Sequence, residues 1–282
     1  MILIADSGSS KTDWRVIDQN GHIRQFRTIG FNPFYQSPEE MAEGLKTPDI
    51  LSLENQIEQV YFYGAGCTSE ANCTIVAQTI RQFFKDATIS VDHDLIAAAR
   101  ATCGHHEGIA CILGTGSNSG NYDGEKILYS RPSPGYLLGD EGGGSYIGRQ
   151  FLQDFIYDDM PEHIRQLAIQ QYGLSIMGIQ ETVYQKPFPN RYMASFCNFI
   201  TQHKTDPYCY QLYYHGFKDF FQRHVMRYDN YQVKPVSFVG SIAYYNSDIL
   251  RKVAADLGIH VHLILETPIA GLTLYHKAKL NL

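Results

Sequence analysis

A chain of 282 residues, 44% hydrophobic and 18% charged, has the length for two domains and enough apolar content for a substantial core. Its net charge of −6 argues against nucleic acid, which calls for a basic face, and against an anionic membrane surface. No stretch approaches the roughly 18 uninterrupted apolar residues of a membrane span, and the opening Ile2-Leu3-Ile4-Ala5 is too short for a signal segment, so the chain is expected in the cytoplasm.

The first elements are short strands over 2–5, 13–17 and 23–27, the last two joined by Asn20-Gly21, a strong hairpin dipeptide because both residues tolerate positive φ. A strand over 60–63, an amphipathic helix over 68–84 capped at Thr68 or Ser69, a strand over 89–91 and an alanine-rich helix over 95–102 follow. The plan then restarts. A buried strand over 109–113 runs into Gly114-Thr115-Gly116-Ser117, and strands over 119–122 and 127–130 flank Asp123-Gly124. Ile4-Ala5-Asp6-Ser7-Gly8-Ser9 and Ile112-Leu113-Gly114-Thr115-Gly116-Ser117 share one pattern: an apolar strand end, then a hydroxyl residue, glycine and serine. This is read as a divergent internal repeat.

Helical spacing then recurs over 144–157, 161–172, 175–184, 192–202 and 208–226, an insert within the second half. A strand over 235–239, a helix over 244–257 closed by Gly258, a strand over 261–265 and a helix over 268–279 complete the chain. Strands alternating with helices, with three-stranded meanders, predict a mixed-sheet α/β domain present twice, over 1–108 and 109–282. The six cysteines (Cys67, Cys73, Cys103, Cys111, Cys197 and Cys209) contain no C-x-x-C pair and are read as reduced core thiols.

The two glycine-hydroxyl turns carry the first chemistry. Gly8, Ser9, Ser10, Lys11 and Thr12 follow one strand, and Gly114, Thr115, Gly116 and Ser117 the other. Backbone without bulky side chains lets N–H groups approach phosphate oxygens, so the pair could clamp the phosphates of ATP between two lobes. Each turn alone also reads as a plain tight hairpin. Asp6, beside the first turn, suits water-mediated binding of Mg²⁺, or an Asx-type turn. Asp94 precedes an alanine-rich helix, where it serves either as N-cap or as a general base for phosphoryl transfer. The run from Gly135 to Gly144 carries Asp140 and Glu141 in a glycine cluster directly before a helix, which suits ligand contact. Gly240-Ser241 is a further strand-to-helix glycine turn, a seat for adenosine.

In this order, residues 6–13, Asp94, 114–118, 139–142 and 240–243 resemble the BadF/BadG-type ATPase family, most closely its N-acetylglucosamine kinase branch. The resemblance implies duplicated ribonuclease H-like domains of the actin-like ATPase fold, with the helical insert in the second. It implies a homodimeric kinase that uses ATP and Mg²⁺ to phosphorylate an amino sugar, at its 6-hydroxyl. By the same resemblance Ser10 is a phosphate-loop residue, Asn32 contacts sugar, Asp94 is the base and Thr115 belongs to the nucleotide loop. Gly135 and Asp140 line the sugar, while Ser241, Ala270 and Gly271 border the adenosine. The chain departs from the family in having Ser133-Pro134-Gly135 where relatives carry glycine-tryptophan-glycine, and its only tryptophan is Trp14. That leaves the sugar open. A second branch holds ATP-driven activators of 2-hydroxyacyl-CoA dehydratases, whose cluster cysteine Cys111 resembles, but no cysteine lies between Cys111 and Cys197 to partner it. A non-catalytic sugar sensor is a third reading, and retention of Asp94 with both turns favours the kinase.

Overall fold

The computed structural model describes residues 1–8, 11–34 and 36–279. The chain divides into two compact units, Met1–His106 with Gly124–Lys126 and Thr267–Leu282, and Glu107–Asp123 with Ile127–Glu266.

In the first unit β1 (Ile2–Ser7), β2 (Lys11–Ile17) and β3 (Ile23–Ile29) form an antiparallel meander. Then come α1 (Pro38–Leu45), α2 (Pro48–Leu51), β4 (Gln59–Gly64), α3 (Glu70–Arg81), β5 (Thr88–His93) and α4 (Asp94–Cys103). β4 lies parallel to β1, and β5 parallel to β4, giving the order β3-β2-β1-β4-β5. The central β1 reads Ile2-Leu3-Ile4-Ala5 because it is covered on both faces, and all four residues are buried. Trp14 belongs to this core. It stacks on Phe26, tilts against Phe62 and donates its indole N–H to Thr28 Oγ1 (2.8 Å). The β2–β3 connection is longer than a two-residue hairpin: Asp18 Oδ1 accepts the N–H groups of Asn20 and His22, and Gly21 takes φ +79°.

The second unit repeats the plan with β6 (Gly108–Leu113), β7 (Ser117–Tyr122) and β8 (Ile127–Ser130). The insert follows as α5 (Gly144–Ile156), α6 (Glu162–Tyr172), α7 (Ile176–Gln185), α8 (Pro189–Ser195), α9 (Cys197–Gln202) and α10 (Pro207–Arg223). β9 (Val236–Val239), α11 (Ser241–Tyr245), α12 (Ser247–Asp256) and β10 (Val261–Leu265) close it. The order β10-β9-β6-β7-β8 matches the first sheet strand for strand, with β6 in the place of β1. The chain therefore folds as the duplicated mixed-sheet α/β domain expected from its sequence.

Four segments differ from the sequence reading. α1 and α2 were not expected, although Ser37 and Glu40 form a capping box with Pro38 at the first helical position. The helix expected over 192–202 is two helices meeting at Phe196, and that over 244–257 is two meeting at Asn246, whose buried side chain donates to Ile242 O (3.0 Å). The last helix, α13 (Ile269–Lys279), follows β10 but packs in the first unit on α4, so the unit boundary differs from a simple division at 108/109.

Candidate functional site

β1, β3, β4 and β5 run parallel to one another, so their carboxyl ends share one edge of the first sheet, where α/β sheets bind ligands. The first turn follows β1, and Gly8 N–H closes it on Lys11 O (3.0 Å). Ser9 and Ser10, the expected phosphate-turn serines, lie outside the described residues. Lys11 and Thr12 open β2 rather than the turn. Thr12 is fully buried, and its hydroxyl donates to Ile29 O (2.9 Å). Ser7 must then donate to Thr12 Oγ1 (2.8 Å) while accepting the N–H of Phe31 (2.9 Å). This chain of hydroxyls ties the turn to the start of the loop bearing Asn32. Thr12 thus braces the turn, while the Lys11 side chain is exposed.

Three carboxylates and one lysine gather beside it. Asp13 stands opposite Arg27 in the β2–β3 register, accepts from its guanidinium (2.6 Å) and lies 3.3 Å from Lys11 Nζ. Burial alone would push Asp13 up, but these two cations hold it below the usual carboxylate range. Asp6 lacks such a partner. Burial first, then the charges of Asp13 and Asp94, push it up to about 7 against the opposing pull of Lys11. Asp94 is the first residue of α4, and the capping role belongs to its neighbour: His93 Nδ1 accepts from Ile96 N–H (3.4 Å). Burial also pushes Asp94 up, opposed by the His93 ring and by the first N–H groups of the helix. Among the described residues no group of three or more His, Cys, Asp or Glu is placed to hold a metal ion by itself.

Asn32 follows β3 and is buried. Its N–H donates to Gln36 Oε1 (2.8 Å), and its Oδ1 accepts from Phe34 N–H (3.0 Å). Gly66, beyond the end of β4, comes so close that a Cβ there would stand 2.6 Å from Asn32 Oδ1. Asn72 on α3 fixes that loop by donating to Gly66 O (2.8 Å). The sequence reading named Asn32 and not Gly66, for which the signal was the Gly64-Ala65-Gly66 spacing after an apolar strand; its φ is +85°.

In the second unit the turn after β6 is held by the helix that follows the glycine cluster. Gly144 N–H donates to Gly114 O and Ser145 N–H to Thr115 O, both at 2.8 Å. The Thr115 side chain is exposed, while Ser117 is buried at the start of β7. Asp140 lies buried beneath the turn, in left-handed backbone (φ +60°), and its Oδ1 accepts Ser117 N–H (3.2 Å). A Cβ on Gly116 would stand 2.8 Å from Asp140 Oδ2, so the glycine admits the carboxylate. Burial pushes Asp140 up despite that hydrogen bond, and Glu141 adds to the effect. Glu141 is itself held by His224 and Arg223, each at 3.2 Å. The structure thus brings Asp140 to the turn after β6, whereas Gly135 opens a separate turn at φ +80° with no atom within 4 Å of its Cβ position.

Gly240 follows β9 at φ +127°, with Leu113 O 2.2 Å from where its Cβ would be. Ser241 borders a cavity of about 320 Å³ shared with Asn198, Thr201, Ile242, Tyr245 and Asn246. The insert residues of this lining were missed, because nothing in their helical spacing sets them apart. In the first unit, Ala270 is exposed on α13, and Gly271 lets that helix approach α4: a Cβ would stand 2.3 Å from Ala101 O. Cys111 is buried within β6.

A duplicated sheet with a glycine-hydroxyl turn after the first strand of each copy defines the actin-like ATPase class, and the solved structures sharing it include sugar kinases. A protein of Porphyromonas gingivalis, provisionally assigned as an N-acetylglucosamine kinase, is 42% identical over 99% of both chains with a TM-score of 0.93. The chain belongs to the same sugar-kinase family as that protein. A Chromobacterium violaceum protein of the same provisional assignment is 15% identical, with a TM-score of 0.66 over 97% of this chain and 98% of its own. A ROK-family glucokinase of Streptomyces griseus, solved with glucose and AMPPNP, is 16% identical, with a TM-score of 0.55 over 98% of each. These two share the fold alone. No family model matches the chain, and no curated protein does. Among the described residues no helix is long and apolar enough to cross a membrane.

Proposed function

We propose that the chain is an ATP- and Mg²⁺-dependent kinase that transfers the γ-phosphate of ATP to the 6-hydroxyl of an amino sugar such as N-acetylglucosamine. The reading extends to a cytoplasmic homodimer of the BadF/BadG type. Asp94 carries the proposal: it stands at the carboxyl end of β5, and His93 fills the capping role that would otherwise explain it. The likeness to the P. gingivalis protein supports the sugar class.

In this mechanism Asp94 takes the proton of the sugar hydroxyl as that oxygen attacks the γ-phosphorus. The new P–O bond forms, the bond to the β-phosphate oxygen breaks, and ADP leaves with the electron pair. A carboxylate pushed up by burial is better matched to this task near neutral pH. Asn32 and Gly66 shape the sugar side. Lys11 offers a cation, and Ser9, Ser10, Thr115 and Gly116 offer N–H groups, to phosphate oxygens, while the N–H groups of Gly8, Gly114 and Ser117 brace the turns. Asp140 keeps the second turn in shape, and Ser241 with its cavity receives the adenosine. Asp6 fits a Mg²⁺ held through water: it is a hard oxygen donor, pushed up first by burial and then by the charges of Asp13 and Asp94, which a dication would offset. When bound with the nucleotide, Mg²⁺ neutralises charge on the β- and γ-phosphates.

The test is a panel of amino sugars with Mg-ATP and coupled ADP detection, the product mapped by phosphorus NMR. Turnover of an N-acetylated amino sugar with phosphate on O6 is expected. Absence of turnover across the panel would refute the assignment.

A further inference from the structure

Between α5 and α10 lies a cavity of about 340 Å³ that the proposed reaction does not use, at the small end of ligand-site sizes. α5 contributes Tyr146, Gln150 and Asp154, spaced four apart on one helical face, and α10 contributes Tyr208, His215 and Asp219. The carboxylates are crossed by phenols: Tyr146 donates to Asp219 Oδ2 (2.7 Å) and Tyr208 to Asp154 Oδ2 (2.9 Å). Gln150 donates to the other oxygen of Asp154 (2.7 Å). Burial, then the bond to Asp219, pushes Tyr146 up to about 12, so the phenol keeps its proton and remains the donor.

These contacts satisfy hydrogen bonds without cancelling charge. Among the described residues no cation pairs with Asp154 or Asp219, whereas Asp248 on the same unit is paired with Lys204 (2.9 Å). Arg149 lies over the Tyr146 ring (5.1 Å), but its guanidinium is turned to the carbonyls of Tyr136 and Leu137. Two uncompensated carboxylates, aromatic walls and an apolar floor at Ile147 and Leu212 are complementary to an ammonium group on a short alkyl chain. A bare metal ion is a poor match, since among the described residues these side chains form no ligating group.

We propose that this cavity binds a small organic cation bearing primary ammonium groups. The proposal does not depend on the kinase reading, because its test reads binding alone. Isothermal titration calorimetry of the full chain uses 1,4-diaminobutane, with 1,4-butanediol as the uncharged isostere. The expected result is saturable binding of the diamine and none of the diol, with Asp154→Asn and Asp219→Asn each weakening binding by about tenfold or more. Gln150→Lys changes an exposed rim residue, places a tethered ammonium beside Asp154 and should abolish binding. Asp248→Asn should leave binding unchanged. The proposal is overturned if the diamine does not saturate, if the diol binds equally, or if Asp248→Asn weakens binding as much as the cavity variants, which would mark diffuse attraction to an acidic chain.

Discussion

Asp6 and Asp94 are both pushed up by burial, yet the consequences differ because one is proposed to take a proton and the other to face a cation. Asp94→Asn keeps the shape of the side chain and leaves His93 as the cap. It should lower kcat for the best sugar by about 10²–10⁴ while ATP binding survives, the size of effect expected from removing a general base alone. Coupled ADP release and a nucleotide-binding titration separate the two quantities, and near-wild-type kcat would dismiss Asp94 as the base. Asp6 makes a prediction about stability. Its carboxyl titrates near 3.9 in an unfolded chain and at about 7 in the folded one. Between those values the folded state binds more protons, so the contribution is fully present below about pH 4 and is lost as pH rises to about 7. Asp6→Asn should therefore melt a few degrees above wild type at pH 8 and converge with it near pH 4. The same variant should bind Mg-ATP more weakly, trading function for stability. Equal melting curves at both pH values would show that Asp6 carries no such penalty.

At the scale of elements, the loop after β4 sets its backbone against Asn32, the proposed sugar contact. Gly66→Ala would force a side chain into left-handed backbone and against Asn32. The expected cost is about 1–3 kcal/mol of stability, with a rise in sugar KM larger than the fall in kcat. Unchanged sugar KM would separate this loop from the sugar site. The strands and the two turns were legible in the sequence because apolar runs ending in glycine and hydroxyl residues have few other uses. Asp94 was legible as a strand-to-helix residue, but that its neighbour caps the helix needed the position of His93 Nδ1. Other features were hidden for identifiable reasons. α1 had a capping box at Ser37 and Glu40 that outweighs its weak apolar pattern. The breaks at Phe196 and Asn246 keep helical apolar spacing on both sides, so periodicity cannot show them. Asp140 was singled out by its glycine surroundings. Its contact with Ser117 spans 23 positions, which local pattern does not reach.

At the scale of the whole molecule, the duplication was visible from two short matching turns, and the sheets repeat it strand for strand. The place of α13 was not visible, since chain proximity to β10 assigns it to the wrong unit. Its residues explain where it goes. Ile269, Leu272 and Tyr275 are buried, and His276 Nε2 meets the hydroxyl of Tyr63 at 2.8 Å while its ring stacks on Tyr61. Arg100 completes the contact, joining Tyr63 (2.9 Å) and Asp92 (2.8 Å) and lying 5.7 Å from the Tyr275 ring centre. A chain ending at Glu266 would lose these three side chains, worth on the order of 5 kcal/mol at about 1.5–3 kcal/mol each, and would remove His276 from Tyr63 and the Tyr275 ring from Arg100. That is comparable with the whole stability of an ordinary domain. Hydrogen exchange on the truncated chain should show amide protection collapsing in β4 and α4 while α5 and α10 keep theirs. If β4 and α4 instead stay protected, the final helix is dispensable to the first unit and its buried contacts contribute far less than their area implies.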